Sequence, residues 1–361
     1  MAELDVIVPP KLVTVTFSLE PAYNVFASLS LLEMAEDFTG LGEWVYQTVK
    51  ALSPERLRTN QIVLLDAPVH LEDVAWSSFP EWLDDLAARD ATALRDQALQ
   101  AQLTRARKVL DGGVPEPSEL LADRAAYLAF VEELGRRGGE KFDRSIWEEV
   151  HRLLNDPPSR QDLIVSHLRT MWDEVLASEW ERNLPLLEES IAAFQSLDFA
   201  GLTAAQVLNR VILREIPPAS SIHWLEEAEH IIFIPSAHTG PYLLRLGGES
   251  YSAERLVFGA RIPEGSRVSS PTLSRSELLM RLNALANDTR LRILELVVQK
   301  GELNTPEIMA QIGLSQSAVS RHLEHLTATG YLIVRHEGAK CYRLNPDRID
   351  HTFEALKEFL Q

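Results

Sequence analysis

The sequence predicts an α+β protein: a large, mostly helical N-terminal domain with a small β-sheet, then a C-terminal helix–turn–helix running into a β-hairpin. Three observations carry this. Residues from about Pro80 to Val109 and from Pro117 to Phe194 keep a helical pattern. Short β-rich runs between Glu229 and Ile262 are parted by glycine turns, and Thr305 to Leu344 spells helix, turn, helix, strand, strand. At 361 residues the chain is too long for one small helical unit and suggests two or three domains.

In chain order, Leu12 to Phe17 alternates as a strand does, and Pro21 to Asp37 reads as a helix with Tyr23, Phe26, Leu29 and Leu32 at apolar positions. The long helical stretches break at Gly112-Gly113 and Asp156-Pro157-Pro158. Glu229 to Pro235, Tyr242 to Leu246 and Arg255 to Ile262 read as short strands, with turns at Thr239-Gly240 and Gly247-Gly248. The first strand is expected to join this later sheet. Residues 263–271, rich in Pro, Gly and Ser, form a linker. The expected division is an α+β domain over 1–265 for effector sensing or dimerisation, a linker over 266–274, and a third part over 275–361. No internal repeat is visible.

That third part repays a residue-by-residue reading. Thr305 is placed to cap a short helix and Pro306 to occupy its first position, where a missing N–H costs nothing. Ile308, Met309 and Ile312 give it an apolar side. Gly313 permits the left-handed turn that ends it, and Ser315 caps the next helix. There Val319, Leu323 and Leu326 fall at i, i+4 and i+7 as one buried stripe. The opposite side carries Gln316, Ser317, Ser320 and Arg321. Gln pairs bidentately with adenine, Arg with guanine, and Ser with a base edge or a phosphate. Gly330 stops the helix, a strand begins at Tyr331, turns at Glu337-Gly338 and returns through Lys340, Tyr342 and Leu344. Arg335, His336, Lys340 and Arg343 put positive charge around that hairpin, as a wing resting on phosphates requires. The plain alternative is a helical pair and a hairpin that only pack together; the ordered set of parts favours DNA.

From about Leu278 to Leu344 the chain resembles the winged helix-turn-helix of the ArsR family of bacterial transcription regulators. The matching pieces are Leu285-Ala-Asn-Asp-Thr-Arg-Leu-Arg-Ile-Leu294, Leu314-Ser-Gln-Ser-Ala-Val-Ser-Arg-His-Leu323 and the Gly330 to Leu344 hairpin, about a fifth of the chain. The resemblance implies a homodimer on an imperfect inverted repeat of double-stranded DNA, usually a repressor released by an effector. The expected DNA-binding residues are Thr305, Ser315, Gln316, Ser317, Ser320, Arg321, Arg335, Lys340 and Arg343. Leu278, Leu282 and Leu285 before the motif, and Ile349, Phe353, Leu356 and Leu360 after it, form apolar stripes of the kind that pair across the family's two-fold axis.

Many ArsR proteins sense metals through Cys-x-Cys on the first helix of the motif. The matching Leu303, Asn304 and Thr305 offer no thiolate, and the one cysteine, Cys341, lies in the returning wing strand. A second family site uses carboxylates and histidines on the last helix; here Asp350, His351 and Glu354 stand without a further histidine cluster. No metal and no cofactor is therefore expected, with a metal-responsive repressor kept as an alternative. Cys341 has no second thiol with which to act as a redox switch.

A net charge of −18 looks wrong for a DNA binder, so its distribution matters. From Arg275 onward there are eleven Lys or Arg and eleven Asp or Glu, leaving 24 basic and 42 acidic groups to the first 274 residues. Residues 311–343 hold four basic and two acidic groups, so the reading unit is locally positive. The hydrophobic content of 45% describes a protein able to bury a large core, no apolar run reaches a membrane span, and no secretory signal is expected. With one cysteine, a cytoplasmic setting is expected.

The opening Thr16 to Leu29 and the strand Ile231 to Ser236 resemble an uncharacterised domain found ahead of ArsR-type units in some bacterial regulators. All seven tryptophans lie in this part. Trp172 and Trp180, His223 and Trp224, and His238 with Tyr242 are the candidates for contact with a small-molecule effector, against the plainer roles of core, turn or surface. An enzyme is not expected: Ser236, His238 and Glu229 lack the Gly-x-Ser-x-Gly setting of a nucleophile, and Gly40-Leu41-Gly42 is too short for a phosphate loop. A winged-helix module that binds protein instead of DNA is the other alternative.

Overall fold

A computed structural model describes residues 12–71, 74–110, 113–138, 142–212, 225, 228–246, 253–263, 266, 275–337 and 339–360. Among these, strand β1 (Thr14–Phe17) leads into helices α1 (Pro21–Met34), α2 (Glu43–Ala51), α3 (Pro54–Leu64), α4 (Phe79–Ala88), α5 (Ala91–Val109), α6 (Pro117–Ala122) and α7 (Arg124–Gly138). Helices α8 (Arg144–Leu154), α9 (Pro157–Met171), α10 (Ala177–Gln195) and α11 (Ala204–Ile212) follow, then strands β2 (His230–Ser236), β3 (Leu243–Leu246) and β4 (Glu254–Gly259). Helix starts have local causes. Ser53, Ser78, Asp90, Asp143 and Asp156 each accept from a backbone N–H in the first turn of α3, α4, α5, α8 and α9. The cap at Asp90 divides the helical stretch expected from about Pro80 to Val109 into two helices. By contrast α9 and α10 run on through the π turn Trp172–Leu176.

The sheet has the order β1-β2-β4-β3, with β1 and β4 parallel to β2 and β3 antiparallel to β4. Because successive side chains of a strand point to opposite faces, the apolar run of β2 serves two cores. Ile232 and Ile234 join Tyr23, Phe26, Leu29 and Trp82 on one face, while Ile231 and Phe233 join Phe17, Phe194, Val207 and Phe258 on the other. A third core, away from the sheet, holds Ile62, Leu99, Leu103, Tyr127, Phe130 and Val150 from α3, α5, α7 and α8. Helices α2 and α3 stand where the sequence predicted no element.

The C-terminal region runs α12 (Arg275–Leu285), α13 (Asp288–Lys300), β5 (Glu302–Asn304), α14 (Thr305–Ile312), α15 (Gln316–Ala328), β6 (Leu332–Glu337), β7 (Ala339–Leu344) and α16 (Pro346–Phe359). Its antiparallel sheet has the order β5-β7-β6, so a third short strand flanks the expected hairpin. Ile293, Val297, Ile308, Val319, Leu323, Leu326, Tyr331 and Tyr342 make one core, and α12 packs on α16. Among the described residues no helix is long and apolar enough to cross a membrane.

Candidate nucleic-acid interface

The short helix α14 begins one residue earlier in the capping logic than the sequence suggested. Asn304, not Thr305, is its cap. The Asn304 side chain accepts from Glu307 N–H at 3.0 Å and the Glu307 carboxylate accepts from Asn304 N–H at 2.8 Å, a reciprocal capping box. Thr305 and Pro306 are thereby the first and second helical residues, and Leu303 is buried in the core. The three positions matched to the family's Cys-x-Cys thus have structural tasks of their own. Gly313, at φ 76°, makes the left-handed turn that a Cβ would penalise, and Ser315 caps α15 by accepting from Ala318 N–H at 3.4 Å.

Helix α15 then sorts its faces. Val319, Leu323 and Leu326 are fully buried, whereas Gln316, Ser317, Ser320 and Arg321 are exposed together on the other side. Thr305 is half-buried at the start of α14, and Ser315 is exposed with its hydroxyl 3.2 Å from that of Ser317. In the wing, Arg335, Lys340 and Arg343 are exposed. The Lys340 ammonium lies 5.6 Å from the centre of the Tyr342 ring, and Arg335 is 3.8 Å from the Glu302 carboxylate. Since Glu302 also pairs in register with Arg343, the third strand sets one acid beside two of the wing's cations.

The sequence signature of the bacterial regulatory protein, arsR family, matches residues 287–334. Over 79 residues the chain is 38% identical to the arsenic resistance transcriptional regulator ArsR2 of Pseudomonas putida, a match spanning 22% of this chain and 69% of the relative. Over 64 residues it is 42% identical to the arsenic resistance transcriptional regulator ArsR1 of the same organism, spanning 18% of this chain and 50% of the relative. The chain belongs to the ArsR family. It is an ArsR-family DNA-binding transcriptional regulator whose helix-turn-helix lies near its C-terminus, with no family assigned to the region ahead of it. No solved structure matches the chain significantly.

Around this ArsR unit the structure adds a contact that periodicity does not foretell. The N-terminal segment Glu36–Leu41 lies against α15. The Arg321 guanidinium donates to the Glu36 carbonyl at 3.2 Å, and the Thr39 hydroxyl is 2.7 Å from Nδ1 of His325, a fully buried residue. Arg290 donates to the same Nδ1 at 3.0 Å and, with Nε and Nη2, to the carbonyls of Ala284 and Asn283. A guanidinium only donates, so Nδ1 accepts and the neutral ring carries its proton on Nε2. Burial, reinforced by the Arg290 charge, pushes the His325 pKa down to about 3. Gly40 sits against this ring with φ 89°, and a Cβ there would run into Nε2. Two tyrosines hold the segment in place. Tyr46 donates to the Phe38 carbonyl at 3.0 Å and Tyr242 to the Thr39 carbonyl at 2.6 Å.

The remaining residues singled out in the sequence divide. Trp172, Trp180 and His238 come together, but the space they share is only about 20 Å³, about enough for one water. His238 there is stacked on Trp44 at 4.2 Å and lies between the Ser28 hydroxyl (2.8 Å) and the Glu179 carboxylate (3.2 Å). Burial lowers its pKa to about 4. Ser28, like Ser236, is buried, so this network ties α1, α10 and the strand β2 end together and offers no accessible nucleophile. Tyr242 instead lines a cavity of about 730 Å³ between the N-terminal sheet and α12. His223 and Trp224 lie outside the described residues. On the last helix, His351 Nδ1 is 3.0 Å from the Arg281 guanidinium, a cation where a metal site would need a free ligand.

Proposed function

We propose that this ArsR-family regulator is a homodimeric, sequence-specific repressor acting in the cytoplasm on an inverted-repeat operator, with the 1–265 domain setting DNA affinity in response to a small molecule and the 266–274 linker joining it to the 275–361 reading domain. The observation that carries the reading is the single exposed face of Gln316, Ser317, Ser320 and Arg321 opposite a fully buried stripe. Ser315 and Thr305 flank that face, and Arg335, Lys340 and Arg343 rest on phosphate. Two copies would place their reading helices about 34–36 Å apart, in successive major grooves.

Exposed Leu279, Phe353, Phe359 and Leu360 on α12 and α16 and just beyond support the dimer, since large apolar groups left in water favour pairing. The contact from Arg321 to Glu36 supports control by the N-terminal domain: an Nη1 engaged there is not available for a bidentate pair with guanine, so the docked arrangement is the weakly binding one. The relatives' names speak of arsenic resistance. Here the lone Cys341 sits on β7 and Leu303, Asn304 and Thr305 stand where the family's Cys-x-Cys would be, so the effector proposed is not a thiophilic metal. Selection of full-length protein from random duplexes tests the function. Enrichment of an inverted repeat with the stated half-site spacing supports it; a module that binds protein would enrich none.

A further inference from the structure

The cavity of about 730 Å³ lies where two parallel strands end. Ser236 closes β2, Gly259 closes β4, and both line it. The crevice outside the carboxyl ends of parallel strands is where open α/β sheets take their ligands. Here the facing wall is α12, through Leu279, Met280 and Leu282, and the reading helix α15 contributes Ala328. One cavity thus has walls from both regions of the chain.

The walls set what it can hold. Leu41, Ile212, Phe258 and Met280 are apolar, and Tyr46 and Tyr242 spend their hydroxyls on the Phe38 and Thr39 carbonyls, which leaves the cavity their rings. The ionic side chains of the lining are engaged with the protein itself. Arg261 donates to the Arg210 and Val211 carbonyls, Glu277 accepts from Arg281, and Arg348 donates to the Thr329 carbonyl. The apolar walls, not these ions, therefore select the guest. A charged molecule would shed its water against hydrocarbon, whereas an uncharged one gains by the same contact.

One wall also leads to the docked contact. Gly259, Gly240 and Gly40 all line the cavity and meet backbone to backbone: a Cβ on Gly259 would run into the Gly240 carbonyl oxygen, and one on Gly240 into that of Gly40. Gly40 in turn abuts the His325 ring. The path from strand end to reading helix runs through main chain until it meets that ring, which leaves few soft rotamers to absorb a displacement.

We infer that this cavity binds one uncharged, largely apolar small molecule, and that the bound molecule strengthens the docking of Glu36–Leu41 on α15 and so weakens DNA binding. The inference rests on the effector reading above and gives that effector a place, a chemical class and a sign. The sign follows from the walls. A guest that touches α12 and Ala328 on one side and the three glycines on the other is held best when the two regions are together, so it shifts the population toward the docked arrangement.

Phenylnaphthylamine, an uncharged apolar fluorophore, tests the site on the full chain without DNA, with anilinonaphthalene sulfonate as its anionic counterpart. The expected result is one saturable phenylnaphthylamine site per chain, about tenfold or more tighter than for the sulfonate. Ala286→Trp and Ala260→Trp fill the cavity from opposite walls and should each weaken the neutral probe about tenfold or more. Equal or tighter binding of the sulfonate overturns the class, and Ala286→Trp leaving the neutral probe within about twofold overturns the site. Ala286 is exposed just beyond α12, so its substitution decides if Ala260→Trp does not fold. The sign is read on the operator selected above. Saturating phenylnaphthylamine should weaken operator binding by the natural chain about fivefold or more and leave that of Ala286→Trp within about twofold. Unchanged or tighter operator binding with the probe seated overturns the sign. Selection of no operator discards the regulator reading, and the fluorescence result then decides the site by itself.

Discussion

The two halves of helix α15 behave differently. Its N-terminal half presents Gln316, Ser317 and Ser320 to solvent, and Arg321, exposed at the boundary, reaches the Glu36 carbonyl, while in its C-terminal half His325 is buried on Thr39 and Gly40 and Ala328 packs in the N-terminal core. One half carries the chemistry for meeting DNA, the other meets the rest of its own chain. The difference teaches that reading and control share one rigid helix. They adjoin at Ser320 and Arg321, so a change in docking at one end needs no long relay to reach the other.

Breaking both halves at once has the largest expected effect. Leu323→Ala removes a fully buried side chain from the middle of the stripe and should cost about 2–5 kcal/mol of stability, read by denaturant unfolding. A loss well under 1 kcal/mol would mean that α15 is not anchored as described. Arg321→Ala touches the boundary between the halves. It should lose about 1–3 kcal/mol of affinity on the selected operator and relax one base preference; unchanged affinity removes Arg321 from the reading face. The buried half has its own signature in acid. His325 titrates near 3 when folded and near 6.5 when unfolded, so only the unfolded chain takes up its proton between those values. Its contribution is complete above about pH 6.5 and is lost progressively as the pH falls toward 3. Thermal melts from pH 7 to pH 5 should show a steeper fall for the natural chain than for His325→Gln, and equal slopes would place the ring in water.

Gly40→Val sharpens the comparison by undocking the covered half while leaving the exposed one untouched. It forces a β-branched residue to φ 89° and into the His325 ring. Freed of the Glu36 hydrogen bond, Arg321 should gain affinity for the operator of about 0.5–1.5 kcal/mol. Weaker binding in a folded variant would mean that docking assists reading. The smallest effect belongs to Lys340→Ala, which should reduce the salt slope of binding by about 1 across all sequences alike. A loss confined to one operator would make Lys340 a base reader.

The exposed half was legible in the sequence because a helix writes its burial at a fixed period, and Val319, Leu323 and Leu326 keep that period without interruption. The small sheet was legible for a similar reason, since Ile231 to Ile234 is apolar on both faces. The capping residue was misread because Asn304 and Thr305 are both good caps, and only the reciprocal bonds to Glu307 choose between them. Strand β5 spans three residues, too few to show alternation, and takes its form from pairing with β7. Helix α3 hides because its buried side includes Asn60, which donates to Leu29 and Glu33. The contacts of the covered half with the N-terminal segment were not legible at all. Their partners stand 285 or 286 residues apart in sequence, and no local pattern encodes a meeting at that distance.

The acceptor for Arg321 is a main-chain oxygen. Replacing Glu36 by any other residue changes the side chain and leaves that oxygen where it is, so the contact cannot be lost by a simple exchange at the point of touch. A genetic screen for variants locked on their operators should therefore pass over position 36. It should return Tyr46, Tyr242 and Gly40, the residues that hold the backbone in place, and the map of such hits would trace a scaffold rather than a contact.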